Sequence, residues 1–106
     1  MSPWRKKSAA VEFKDDDDAY FAWLTAHPDG YVLNVRRWPD PSYVVLHRAS
    51  CGSISSAKLA RGAYTCRNYR KWCSGELSQL KRSAKLEGRK DGSFSKRCEM
   101  CHPPAG

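Results

Sequence analysis

A chain of 106 residues, 41% of them hydrophobic, is one domain's worth and has material for one modest core, not two. Its longest apolar stretches, such as Tyr43 to Leu46, are strand-sized and far short of the roughly 20 residues of a membrane helix, so no membrane partner is expected. The formal net charge is +8, and a positive field of that size attracts polyanions, of which nucleic acid is the commonest inside cells.

The charge is unevenly spread. Residues 1–14 carry +3 and Asp15 to Asp18 carry −4, whereas residues 30–75 carry +7 and residues 76–106 another +3. The first 14 residues combine Ser, Pro and Arg5-Lys6-Lys7 without an apolar period and read as a flexible basic arm. No apolar segment of the secretory kind follows those basic residues, so a reducing, cytoplasmic and nucleoid-associated location is expected. The domain proper spans residues 15–102, and residues 103–106 form a fraying tail.

The acidic run precedes AYFAWLTAHPDG, where Tyr20, Phe21, Trp23 and Leu24 recur at helical spacing. This predicts a first helix capped by Asp16 or Asp17 and stopped by Pro28 and Gly30. In YVLNVRRW, Tyr31, Leu33 and Val35 alternate with Val32, Asn34 and Arg36, which predicts a strand. Pro39-Asp40-Pro41 turns the chain into a second strand, SYVVLHRAS, and the two form an antiparallel hairpin. Tyr43 and His47 share one face, and Arg36 with Arg48 is expected on the other. Residues 50–63 read as a loop, with a short helical turn at 56–61. YRKWCS alternates as a third strand, after which Ser74 caps a second helix that buries Leu77, Leu80, Ala84 and Leu86 and ends at Gly88. The expected fold is α+β, a small antiparallel sheet of about three strands with two helices.

Five cysteines offer a staple for the small core. Cys98-Glu-Met-Cys101 has the spacing at which two thiolates of one tight turn meet a tetrahedral metal. Cys51 and Cys73 end the second and third strands, and strand ends lying side by side would bring their thiols together beneath that turn. A structural Zn2+ on Cys51, Cys73, Cys98 and Cys101 is therefore expected, with His47 and His102 as alternatives for one position and Cys66 as a free thiol. The odd count disfavours disulfides, and a redox pair requires its CxxC at a helix start. No acid/base constellation accompanies the cysteines, so no enzymatic activity is expected.

Nucleic-acid binders combine cations for phosphates with flat side chains that stack on bases. That interleaving occurs in Arg36-Arg37-Trp38, in Tyr43 with His47-Arg48, and in Tyr69-Arg70-Lys71-Trp72, which together are the candidate DNA-binding residues. In so short a chain each aromatic taken alone is more often core than contact.

The words HPDGYVLNVRRWPDPSYVVLHRASCGSIS, YTCRNYRKWCS and DGSFSKRCEMC resemble a family of small actinobacterial proteins that bind 5-methylcytosine in DNA, over roughly residues 16 to 101. The resemblance implies a non-enzymatic epigenetic reader, and the matching positions are Arg37, Pro41, Tyr43, His47, Arg48, Cys51, Tyr69, Lys71, Cys73, Lys96, Arg97, Cys98 and Cys101. Cys66 falls outside the pattern. The partner expected is double-stranded DNA methylated at cytosine, met in the groove or as an extruded base, and the two-fold pseudosymmetry of a CG step suits a homodimer. The competing readings are an RNA or single-strand binder and a zinc-stapled protein-interaction module.

Overall fold

The computed structural model describes residues 10–55 and 62–104. The chain runs β1 (Val11–Phe13), α1 (Asp17–Ala26), β2 (Tyr31–Arg36), β3 (Val44–Arg48), a single 3-10 turn (Gly52–Ile54), β4 (Tyr69–Ser74), α2 (Leu77–Leu86) and β5 (Lys96–Arg97). The α+β class and both helices are as expected. The sheet, however, has five strands in the order β1-β4-β2-β3-β5, and β5 runs parallel to β3, so it is mixed rather than three-stranded and antiparallel. The two additional strands are three and two residues long, too short for an alternating pattern to register. Val11 to Phe13, expected in the arm, form the β1 edge, and Pro103, expected in the tail, is buried. The helical turn expected at 56–61 lies outside the described residues.

Strand β2 takes both inner neighbours, and its alternation divides the molecule. Val32 lies opposite His47 of β3 and Cys73 of β4, while Leu33 lies opposite Leu46 and Trp72. On the first face Val32 and Cys73 pack with Tyr20 and Leu24 of α1 and with Ala49, Ile54 and Tyr64. On the second, Leu33, Val35, Val44 and Leu46 pack with Leu80 and Ala84 of α2, flanked by Trp72 and Phe94.

Asp16 caps α1 by accepting from the Ala19 N–H at 2.9 Å, and Asp17 accepts from the Thr65 N–H at 2.8 Å, so the acidic run ties α1 to the segment leading into β4. Gly30 permits the close return of the chain, because a Cβ there would lie 2.6 Å from the Trp23 ring. At the start of α2 the Ser74 hydroxyl accepts from the Glu76 N–H at 3.0 Å and donates to Gln79 at 2.5 Å. Leu86 is exposed rather than buried, because the helix instead sends Glu87 inward before Gly88 turns the chain at φ +102°.

That inward carboxylate organises the second face. Arg70 donates to both oxygens of Glu87, to Glu12 at 2.8 Å and to the Arg36 carbonyl at 3.0 Å, and the Trp72 indole N–H donates to Glu87 at 2.9 Å. Arg70 and Glu87 are both buried, so each ion supplies the solvation that the other has lost. Replacing Glu87 with Gln is expected to lower unfolding free energy in urea by roughly 3 kcal/mol, because Arg70 keeps its charge without its main partner. A loss below about 0.5 kcal/mol would show that Glu12 alone satisfies Arg70.

Candidate metal centre and nucleic-acid face

Three pieces of chain converge at the β3 edge. Strand β3 presents His47 on the α1 face, and a turn after Arg48, closed by the Cys51 N–H on the Arg48 carbonyl at 3.0 Å, sets Cys51 ahead of the 3-10 turn. The chain leaving β5 docks the Cys98 N–H on the Leu46 carbonyl at 2.8 Å, and the Cys98–Cys101 turn closes through the His102 N–H on the Cys98 carbonyl at 3.1 Å. The ligand atoms of His47, Cys51, Cys98 and Cys101 all lie within 4.8 Å of one another. The Sγ atoms of Cys51 and Cys98 are 3.9 Å apart, close to the edge of about 3.8 Å of a tetrahedron with metal–sulfur bonds of about 2.3 Å.

The surroundings suit anionic sulfur. The Met100 N–H donates to Cys98 Sγ at 3.3 Å, the Arg48 N–H donates to Cys101 Sγ at 3.2 Å, and Ser53 Oγ lies 3.0 Å from Cys51 Sγ. Burial works against ionising Cys98, yet the N–H groups of Cys101 and Met100 hold its thiol below the ordinary range. Burial and the neighbouring Cys51 push Cys101 up to about 11, because crowded thiolates repel one another. Burial, aided by the charge of Lys71, takes His47 down to about 4, so its imidazole is neutral at pH 7 as metal ligation requires. Its Nδ1 is buried without a hydrogen-bond partner among the described residues. Three thiols and a neutral imidazole within reach of one another form a Cys3His set that could bind a metal ion.

Cys73 is not in this set. Strand β2 lies between β3 and β4, so the ends of the second and third sequence-predicted strands are not neighbours, and two strand spacings of about 4.8 Å separate Cys73 from His47 along their shared row. Cys73 is instead a core residue whose thiol burial pushes well up, and His47 is the fourth member of the cluster that could hold a metal. His102 and Cys66 are exposed and outside the cluster. Substituting Cys98 or His47 with Ala is expected to abolish metal retention, whereas Cys73→Ser and Cys66→Ser keep one ion per chain by native mass spectrometry. Loss of the ion from folded Cys73→Ser would reinstate the four-cysteine arrangement.

The sequence-predicted DNA-binding residues divide into two groups. Arg70 is buried in its carboxylate network, and Trp72 packs under α2. Arg48 clamps the cysteine turn, its Nε donating to the Cys101 carbonyl at 2.9 Å and its Nη2 to the His102 carbonyl at 3.0 Å. It lies opposite Tyr31, so it does not share a face with Arg36 as alternation alone led one to expect. Lys71 is 1% exposed, donates to the Tyr64 carbonyl at 2.7 Å and lies within 5.7 Å of the Tyr20, Tyr64 and Tyr69 ring centres. Each of these four side chains is engaged by groups within the fold.

His47 is buried in the metal cluster, and the others form one outward strip. Trp38 is 73% exposed, with the Lys14 ammonium 5.8 Å from its ring. The Arg36 guanidinium lies 4.5 Å over Tyr43, whose ring sits 5.7 Å from that of Tyr69. Arg37 pairs with Asp15 at 2.9 Å but leaves its buried Nη1 without a partner among the described residues. Arg36, Arg37, Trp38, Arg67 and Asn68 line a groove of about 430 Å³, and Tyr43 continues into a second cavity with Asn34, His47 and Lys96. Asn34 escaped sequence reasoning, although a polar residue inside an apolar strand was its signal.

Lys71 gives the molecule a pH signature. Burial, opposed by Cys73 and Asp17, lowers it from the ordinary 10.5 to about 8. The folded state therefore sheds this proton before the unfolded state does, so the cost of burying the ammonium is present below pH 8 and is relieved between about pH 8 and 10.5. Across that window, wild-type stability in urea is expected to rise relative to Lys71→Met; parallel profiles would show a hydrated ammonium.

No family model matches the chain, and no curated protein or solved structure matches it. Among the described residues no helix is long and apolar enough to cross a membrane.

Proposed function

We propose that the protein is a non-enzymatic DNA-binding domain, stapled by a structural zinc ion, that recognises 5-methylcytosine in duplex DNA in the cytoplasm. The observation that carries this reading is the outward strip, in which an exposed Trp38, the stacked Arg36 and Tyr43, and Lys96 follow one another along one face. Such a strip meets phosphates with its guanidinium and ammonium groups and base faces with its rings. The resemblance of the words around Arg37, Tyr43, His47, Cys51, Lys96, Cys98 and Cys101 to the 5-methylcytosine binders adds the methyl group to the reading.

Zinc is the metal that suits a closed Cys3His set, and removing it would free three thiols at the junction of β3 and β5. Bound there, the ion would hold Lys96 and Tyr43 in fixed relation and serve the fold. The methyl group adds only a small apolar patch, so its discrimination is modest.

Titrating methylated and unmethylated duplex at one stated salt concentration tests the proposal. A preference of about tenfold for methylated duplex is expected. Trp38→Ala and Arg36→Ala each lower affinity by roughly tenfold without a change in melting temperature, because both side chains are exposed. Equal affinities remove the methyl reading. Binding only to RNA or single strands, or to no nucleic acid, removes duplex DNA as the ligand.

A further inference from the structure

The cavity next to the metal cluster has a volume of about 320 Å³ and is lined by Asn34, Tyr43, Val45, Ile54, Lys96 and neighbouring side chains of the Cys3His turn. That is the lower end of the range for small-molecule sites and ample for a single pyrimidine. One of its lining residues, Asn34, carries an unmet polar atom. Asn34 is 8% exposed, and its Nδ2 donates to the Tyr43 hydroxyl at 3.3 Å, which orients the amide and leaves Oδ1 buried with no partner among the described residues. A buried acceptor left unmet costs stability unless a ligand or water completes it. Val45 and Ile54 give the same cavity an apolar wall, and Lys96 places a cation at its edge.

We propose that this cavity receives a cytosine base extruded from the duplex, with Asn34 Oδ1 accepting from the exocyclic amine and the apolar wall beside it taking the 5-methyl group. The inference rests on the DNA-binding reading and specifies how that reading is carried out. Cytosine offers an amine where thymine offers a carbonyl, and a carbonyl would face the Asn34 oxygen in repulsion, so the acceptor selects cytosine over thymine. The methyl-bearing carbon adjoins the amine-bearing one, so one end of the base presents both features to one end of the pocket. Tyr43 links the cavity to the strip: Arg36 stacks on it from the side of the Trp38 groove, leaving phosphate and stacking contacts outside and base recognition within.

The test uses the full chain, metal-loaded, with a methylated duplex carrying 2-aminopurine next to the target cytosine. Extrusion removes a stacking neighbour, so fluorescence is expected to rise several-fold on binding, and placing the target opposite an abasic site raises affinity about tenfold by removing the cost of unpairing. Asn34→Leu keeps the branched outline of the side chain but removes the acceptor, and is expected to lose about tenfold in affinity for methylated duplex. Where that variant melts early, Lys96→Ala, on an exposed edge, serves in its place, with a several-fold loss expected. Tight binding with unchanged fluorescence overturns extrusion and leaves duplex binding standing, as does an affinity indifferent to the abasic site. An Asn34→Leu variant that binds like the wild type overturns the amine contact. Failure to bind any duplex overturns the underlying reading and this inference together.

Discussion

Strand β2 has a neighbour on each side, and that placement decides what every other element can do. With Val32 between His47 and Cys73, one row across the sheet carries a metal-ligand candidate at one end and a buried thiol at the other. The Cys3His cluster then lies on the β3 side, where β5 and its turn close against it, and α1 with the Tyr64 segment covers the β4 side. Were β3 and β4 adjacent, Cys51 and Cys73 would meet and His47 would be free.

Two polar devices brace this small sheet from opposite sides. The cysteine turn secures β3 to the end of the chain, with Arg48 fastening its carbonyls from the side chain's own strand. The Arg70–Glu87 network secures β1 and α2 to β4. Both use cations that composition alone assigns to the surface. The consequence is that the net charge overstates what is available to a polyanion, because Arg48, Arg70 and Lys71 are spent on carbonyls, carboxylates and aromatic rings within the fold. Arg36 and Arg37 remain beside Trp38 and Tyr43, where cations and stacking faces act together in the proposed recognition.

The cavity at Asn34 and the metal cluster share a boundary. His47 and Cys98 line the cavity while belonging to the Cys3His set, so the same residues that brace the fold shape the proposed base site. This is economical in a chain of 106 residues, where a separate scaffold for a binding pocket would need a second core.

Local chemistry alone determined a good deal. The helices were legible because Tyr20 and Leu24, and Leu80 and Ala84, recur at helical spacing between clear stop signals; the inner strands were legible because Leu33, Val35, Leu46 and Trp72 alternate. The Cys98–Cys101 turn was legible because two thiols three residues apart reach one tetrahedron. Tertiary structure alone decided the fourth member of the candidate metal cluster, the orientation of Arg36 and Arg48, and the inward course of Arg70, Lys71 and Glu87. Alternation says which side chains share a face of one strand but not which strands are neighbours, and sequence spacing cannot tell a cation that meets solvent from one that finds a buried carboxylate or carbonyl. Strand order and register settle both, since they set the distances over which ligands, charges and hydrogen bonds act.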